Sequence, residues 1–305
     1  MRYAYVTADV FTDRTFGGNP LAVLTDARGL STAQMQAVAR EFNYPETTFV
    51  LPPEAPGTVK RVRIFTPAAE VPFAGHPNIG TAVVLARAGA FGAVADGSRI
   101  VFDEAAGPVP ITLVAEAGSV VGAELTAPRT EGLGAEIEPG VAAALLGLAE
   151  AQVRTDRHRP RVASVGLGFL LVELADPAAL AAAEAVDAKR LAALEQAEDF
   201  IGVFLYAEAA PADGSDFRAR MFAPSHGVPE DPVTGSANAA LGLLLASLAE
   251  PGEGTLRWSV RQGVEMGRPG RAEIAVDRAG GRIAAVRVAG RAVEVCRGEI
   301  EVPDL

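Results

Sequence analysis

Arg61-Val-Arg-Ile-Phe65-Thr-Pro67 in the first half of the chain is answered by Arg218-Ala-Arg-Met-Phe222-Ala-Pro224 in the second. The offset is 157 (218 − 61), and at the same offset Val71-Pro72 aligns with Val228-Pro229. After an insertion of three residues the match resumes at 160 (235 − 75), pairing Gly75 with Gly235, Asn78 with Asn238 and Leu85-Ala86 with Leu245-Ala246. In each copy a run of strand-forming residues is followed by a loop with proline and glycine, and the glycine opens an apolar helix. Two copies of strand, loop, glycine and buried helix predict two similar halves related by a pseudo-two-fold, with a cleft between them.

Outward from this repeat, 305 residues suffice for about two domains. The expected N-terminal half covers 1–127, joined by the C-terminal strand near 292–305, and the C-terminal half covers 128–291. The turn-rich stretch 128–140 reads as the crossover. Strands are expected at 3–11 and 21–24. A helix starts near Ser31, where Ser31 and Gln34 have capping-box spacing, and ends at Asn43-Tyr44-Pro45. Glu46-Thr-Thr-Phe-Val-Leu51 then reads as a strand by its β-branched content. In the second half, helices are expected at 141–148 and 177–196 and one strand at 162–174. Four short strands close the chain at 256–261, 272–276, 283–288 and 292–301.

Lys plus Arg total 27 against 38 Asp plus Glu, a formal charge of −11. With a pI near 4.9, nucleic-acid binding by general charge is excluded, since that term needs a basic footprint. The single cysteine, Cys296, excludes an intramolecular disulfide, a thiolate zinc cluster and a two-thiol acid/base pair. No histidine pair has metal-ligand spacing, so no metal is expected, and with no Walker-type loop a Walker-type nucleotide site is unsupported. Asp9 and Asp13 fall where a signal peptide would be apolar, and the uncharged run between Asp231 and Glu250 is too short and too polar at its start for a membrane span. A cytoplasmic protein without a membrane partner is expected.

Each matched loop ends in glycine at a helix start. Free N–H groups and the helix dipole make such an end an anion site, and glycine lets the ligand approach the backbone. Two ends aimed at one cleft would suit a small carboxylate; taken singly, each is also what a well-capped core helix looks like. Thr234 and Ser236 offer hydroxyls where N-caps want them. Glu46, between a helix stop and a strand, is the most suggestive carboxylate. Apolar walls raise a carboxyl's pKa and let it take and return a proton near neutral pH, whereas its context alone fits a surface glutamate at a strand end better. His76 and Asp231, one in each matched loop, fit a role in orienting a substrate or relaying a proton; His76 equally fits a helix cap, and Glu230-Asp231-Pro232 a helix-approach turn without chemistry. His158, among Arg154, Arg157, Arg159 and Arg161, reads as part of a solvated face. His226 is placed at the rim of the second loop.

Taken in order, the motifs Asp9-Val-Phe-Thr, Phe16-Gly-Gly-Asn-Pro20, Glu46-Thr-Thr-Phe49, Arg63-Ile-Phe-Thr-Pro67, Phe73-Ala-Gly-His-Pro77, Glu230-Asp-Pro-Val-Thr-Gly-Ser-Ala237 and Gln262-Gly-x-x-Met-Gly-Arg-Pro269 resemble the PhzF-like family, the phenazine-biosynthesis isomerase and its relatives. The resemblance implies an α+β, diaminopimelate-epimerase-like fold: two pseudo-symmetric halves, each a curled, mostly antiparallel sheet around a central helix. It implies an isomerase that transfers a proton without a cofactor, with Glu46 as acid/base. His76, Asp231 and Ser236 match proton-handling and substrate-binding positions, the Gly75 and Gly235 backbone would hold a carboxylate, and a homodimer is expected. Pro45 stands where a small polar residue is expected, and Asn78 where threonine is commoner. Two other readings stay open: an amino-acid-type epimerase using Glu46 with a second acid such as Asp231 or His76, and a non-catalytic small-carboxylate binding protein.

Overall fold

The strand pairings of the first half recur, one by one, in the second. The computed structural model describes residues 1–130, 132–184 and 188–304. The chain divides into two units, Met1–Leu125 with Ala289–Leu305, and Thr126–Val288. In chain order the first carries β1 (Arg2–Val10), β2 (Asn19–Leu24), α1 (Thr32–Phe42), β3 (Glu46–Leu51), β4 (Lys60–Phe65), β5 (Glu70–Val71), α2 (Gly75–Arg87), β6 (Arg99–Glu104), β7 (Gly107–Glu116) and β8 (Ser119–Thr126). There follow β9 (Leu133–Glu136), α3 (Pro139–Leu145), β10 (Arg161–Ser164), β11 (Gly168–Glu173), α4 (Pro177–Ala182) and α5 (Ala188–Glu198). Then come β12 (Val203–Glu208), β13 (Phe217–Ala223), β14 (Val228–Asp231), α6 (Gly235–Leu248), β15 (Gly254–Gln262), β16 (Gly270–Ala279) and β17 (Arg282–Glu301).

In the first unit β1 and β2 are antiparallel, β2 and β3 parallel, β3 and β4 antiparallel, β4 and β6 parallel, and β6 and β7 antiparallel. β8 pairs with β7 and with β17, which returns along β1, so these strands form a closed ring. In the second unit β10 to β13, then β15 and β16, repeat the same order of parallel and antiparallel pairs, with β17 following β16. β5 and β14 are the matching short strands beside β4 and β13.

This pairing fixes equivalences that the letters alone leave loose. Thr47 lies opposite Phe65 and Val203 opposite Phe222, so the residue matching Glu46 is Gly202. Phe102 lies beside Lys60 and Val260 beside Phe217, so Glu104 matches Gln262. Val71 lies opposite Ile64 and Asp231 opposite Met221, so Val71-Pro72 answers Asp231-Pro232, not Val228-Pro229. The extra residues of the second copy form a 3-10 turn, Pro224–His226, before β14. Ladder hydrogen bonds set the register, and they outweigh a dipeptide identity.

α2 lies against β1, β2, β3 and β7, and α6 against β10, β11, β15 and β16. Both are buried around almost their whole circumference, as expected for helices apolar on all faces. The close approach requires small residues. A Cβ on Gly80 would meet Leu21 Cδ2 at 2.5 Å, and one on Gly242 would meet Ile274 Cγ2 at 2.5 Å. α1 covers the opposite face of β3 and β4, packing Met35, Val38 and Ala39 with Leu24, Phe49 and Phe65. Its capping box is formed by Ser31 and Gln34, and Asn43 ends it in the left-handed region.

Three expected elements differ. The stretch 162–174 is two antiparallel strands, β10 and β11, turned at Gly166, whose φ of +150° suits glycine. The stretch 177–196 holds α4 and α5 as separate helices, with 185–187 outside the described residues. The last two short strands are one, β17, whose residues from Ala289 onward belong to the first unit. No described helix is long and apolar enough to cross a membrane.

Candidate active site

Both matched loops are held by the same clamp. Arg63 binds Glu70 through two hydrogen bonds of 2.7 Å, and Arg220 binds Glu230 at 2.8 and 2.9 Å. Each guanidinium also sits over the aromatic ring two residues on, Arg63 over Phe65 at 5.1 Å and Arg220 over Phe222 at 4.7 Å. Bidentate pairs of this kind fix direction as well as distance. They tie β4 to β5 and β13 to β14 just before the two glycine-started helices. Arg220 is the more deeply engaged, donating also to the carbonyls of Leu180 and Ala183 at 3.0 and 2.8 Å.

In the first unit the clamp leads to Gly75 and His76, the first residues of α2. Glu46 opens β3, and its Oε2 lies 3.5 Å from His76 Nδ1, with the Glu46 side chain 18% exposed and that of His76 6%. Burial pushes the His76 pKa down to about 3, so the ring is neutral and its contact with Glu46 is not an ion pair. His76 Nε2 is buried without a hydrogen-bond partner. The structure therefore brings together Glu46, His76 and the Gly75 helix start. A partly exposed carboxyl beside a neutral imidazole suits proton transfer.

In the second unit Asp231 ends β14 and is buried, and its Oδ2 accepts from Thr234 Oγ1 at 2.5 Å. Thr234 occupies the N-cap position of α6, yet its hydroxyl is turned to Asp231 and makes no cap. The expected hydroxyl N-cap is therefore not made: the Thr234 hydroxyl is oriented by donating to Asp231 and accepting from Gln262 Nε2. Gln262, at the end of β15, organises the whole turn. Its Nε2 donates to Asp231 O at 2.9 Å and Thr234 Oγ1 at 3.2 Å, and its Oε1 accepts from Thr234 N and Asn238 Nδ2, both at 3.1 Å. The next residue must be glycine: Gly263 has φ +79°, and a Cβ there would lie 2.6 Å from Pro232 O. Asp231, Gly235 and the half-buried Ser236 are thus held together at the start of α6. Neither α2 nor α6 has a side-chain N-cap, which suits both first turns to an anion.

The residues that sequence reasoning missed are those behind the turns. In the sequence Gln262 stands out only as part of a motif, Asn238 only as a repeated residue, Asn78 as a repeated residue where threonine is commoner, and Glu104 not at all. Asn78 Nδ2 donates to Ala74 O at 3.0 Å as Asn238 Nδ2 donates to Thr234 O at 2.9 Å. The repeated asparagine was the one signal available. His158 is a correction. It is not on a solvated face: its side chain is 5% exposed, stacked on Tyr206 and hydrogen-bonded to it. Burial lowers the His158 pKa and raises that of Glu173 beside it, which Arg154 and Arg157 approach to 3.5 Å. His226, half exposed, faces Glu195 at 3.8 Å. Among the described residues no cluster of three His, Cys, Asp or Glu is placed to hold a metal.

Two matched α+β units, each with a buried central helix, define the diaminopimelate-epimerase-like class of fold. Residues 8–298 match the model of the phenazine biosynthesis-like protein family, and the chain belongs to that family. It is 38% identical to an uncharacterized isomerase of Mesorhizobium japonicum over 97% of this chain and 98% of the relative. It is 35% identical to the trans-2,3-dihydro-3-hydroxyanthranilate isomerase of Pseudomonas aeruginosa, again over 97% and 98%. The crystal structure of the Bacillus anthracis phenazine biosynthesis protein of the PhzF family shares the fold at a TM-score of 0.87, with 22% identity over 99% of this chain and 100% of the other. The protein is an enzyme of the isomerase class.

Proposed function

We propose that the protein shifts a proton on a small carboxylate-bearing metabolite without a cofactor, with Glu46 taking the proton from one carbon and returning it to another. The observation that carries this reading is the asymmetry of the two halves. Glu46 stands beside neutral His76, while its counterpart is Gly202, where a Cβ would lie 2.8 Å from Phe222 O. Position 202 has no room for a carboxyl matching Glu46, which favours one carboxyl working twice over a symmetric pair of bases. His76 orients the Glu46 carboxyl and the migrating hydrogen. The first turn of α2, at Gly75, and that of α6, at Gly235 and Ser236, are each suited to an anionic group, and Asp231 to a polar substituent. A conjugated cyclic acid suits the chemistry, because delocalisation stabilises the carbanion-like state between the two transfers. The relatives named for trans-2,3-dihydro-3-hydroxyanthranilate make that compound the first to try.

The test is solvent-deuterium incorporation into that compound and into a panel of cyclic and amino acids, by wild type and Glu46→Gln. The substitution is expected to slow exchange by roughly 10²–10⁴-fold. Equal rates in the two proteins refute the acid/base role. Inversion of a stereocentre instead of an allylic shift would select the epimerase reading.

A further inference from the structure

Gln262 and Glu104 occupy equivalent positions in the two units, at the ends of β15 and β6. Gln262 uses both ends of its amide: the carbonyl accepts from Asn238 on α6, and the NH₂ donates to the Asp231 carbonyl of the preceding turn. Glu104 faces the equivalent Asn78 on α2, and it is 6% exposed. Both of its carboxyl oxygens are buried and neither makes a well-formed hydrogen bond, although the Asn78 amide is near enough to favour the ionised form. A carboxylate can only accept; a carboxylic acid accepts at one oxygen and donates from the other, as a glutamine does.

We propose that Glu104 is a positioning residue of the first half-site, held as a neutral acid that bonds Asn78 and the backbone of the 71–74 turn in the way Gln262 bonds Asn238 and the 231–234 turn. Asn78 in turn donates to Ala74 O, so Glu104 acts through it on the residues that present Gly75 and His76. Loss of the Glu104 proton deletes the donor and loosens the start of α2.

The surroundings favour the neutral form. Burial raises the Glu104 pKa to about 8, opposed by Asn78 and assisted by Asp103. Asp103 is engaged with the amides of Glu54 and Ala55, and Arg61 on β4 is paired with Glu54. Lys60 on β4 lies beside Phe102, and the residue of β7 opposite Glu104 is Gly107. α2 offers only neutral His76 and, at its far end, Arg87, which donates to Val120 O. No cation in this set is directed at Glu104.

Hydrogen exchange of the segment 72–80, corrected for intrinsic rates and followed from pH 6.5 to 9.5 in wild type, Glu104→Gln and Glu104→Leu, tests the proposal. Wild-type protection is expected to fall about tenfold across this range, the scale of one buried hydrogen bond. Glu104→Gln should match wild type at pH 6.5 and stay level to pH 9.5, and Glu104→Leu should be poorly protected throughout. The segment 232–240, held by Gln262, should be unaffected in all three. A pH-independent wild type, or Leu protecting as well as Glu, overturns the proposal. If the leucine variant does not fold, wild type against Glu104→Gln decides alone. The functional meaning of this anchor rests on the proposed role of the α2 start; exchange needs no substrate, so it fails or succeeds separately from the Glu46 experiment.

Discussion

Replacing Glu104 by Gln should make the protein more stable at alkaline pH and leave it unchanged in mild acid. The group's ordinary pKa is 4.5, and burial raises it to about 8 in the folded chain. The folded chain thus binds this proton more tightly than the unfolded one. Stability is complete below about pH 4.5 and is lost as pH rises toward about 8. Each pH unit within that window costs about 1.4 kcal/mol, so between pH 5 and pH 9 the loss approaches about 4 kcal/mol. Gln carries no proton to lose, so that slope is absent from the variant. His76 works in the opposite sense: its pKa falls from 6.5 to about 3, so it adds stability as pH rises between those values. It does so equally in both proteins and cancels in their difference. Urea unfolding of wild type and Glu104→Gln at pH 5, 7 and 9 measures that difference directly. A gap that widens by several kcal/mol toward pH 9 is expected. Parallel curves, within about 0.5 kcal/mol at every pH, would show that Glu104 is ionised in the fold or is solvated on ionisation.

The two clamps should differ in worth. Arg220→Ala strands Glu230 and buried backbone carbonyls and should cost about 3–5 kcal/mol, whereas Arg63→Ala, at the more exposed Arg63–Glu70 pair, should cost about 1 kcal/mol; denaturant midpoints compare them. Gly242→Ala drives a methyl into Ile274 and should destabilise by about 1–3 kcal/mol despite alanine's better helix propensity, read as a lowered melting temperature.

The candidate site is legible where chemistry and local pattern coincide. Glu46 follows a helix stop and starts a strand, and Gly75 and Gly235 open apolar runs; all three are features of neighbouring residues. The support behind those residues was not legible. Gln262 reaches the 231–234 turn from 28 residues away, and no local pattern marks a side chain that acts through space. His158 was misread for the same reason. Its arginine-rich surroundings suggest solvent, but the ring is covered by Tyr206 from a strand far along the chain.

The repeat of strand, loop, glycine and buried helix, and with it the presence of two similar halves, belongs to the sequence alone, because hydrophobic period and turn residues are local properties. So does the confinement of any acid/base chemistry to groups other than paired thiols, since a single cysteine is a matter of composition. Tertiary structure decided which residues of the two halves are truly equivalent. Register paired Glu46 with Gly202, Asp231 with Val71 and Glu104 with Gln262, three exchanges that the matched letters had concealed. Backbone pairing constrains position without constraining side chain, so a duplicated frame keeps its geometry while its chemistry diverges. In this chain that divergence leaves one half with Glu46 beside a neutral histidine and the other with a glycine at that position and the anchored Asp231.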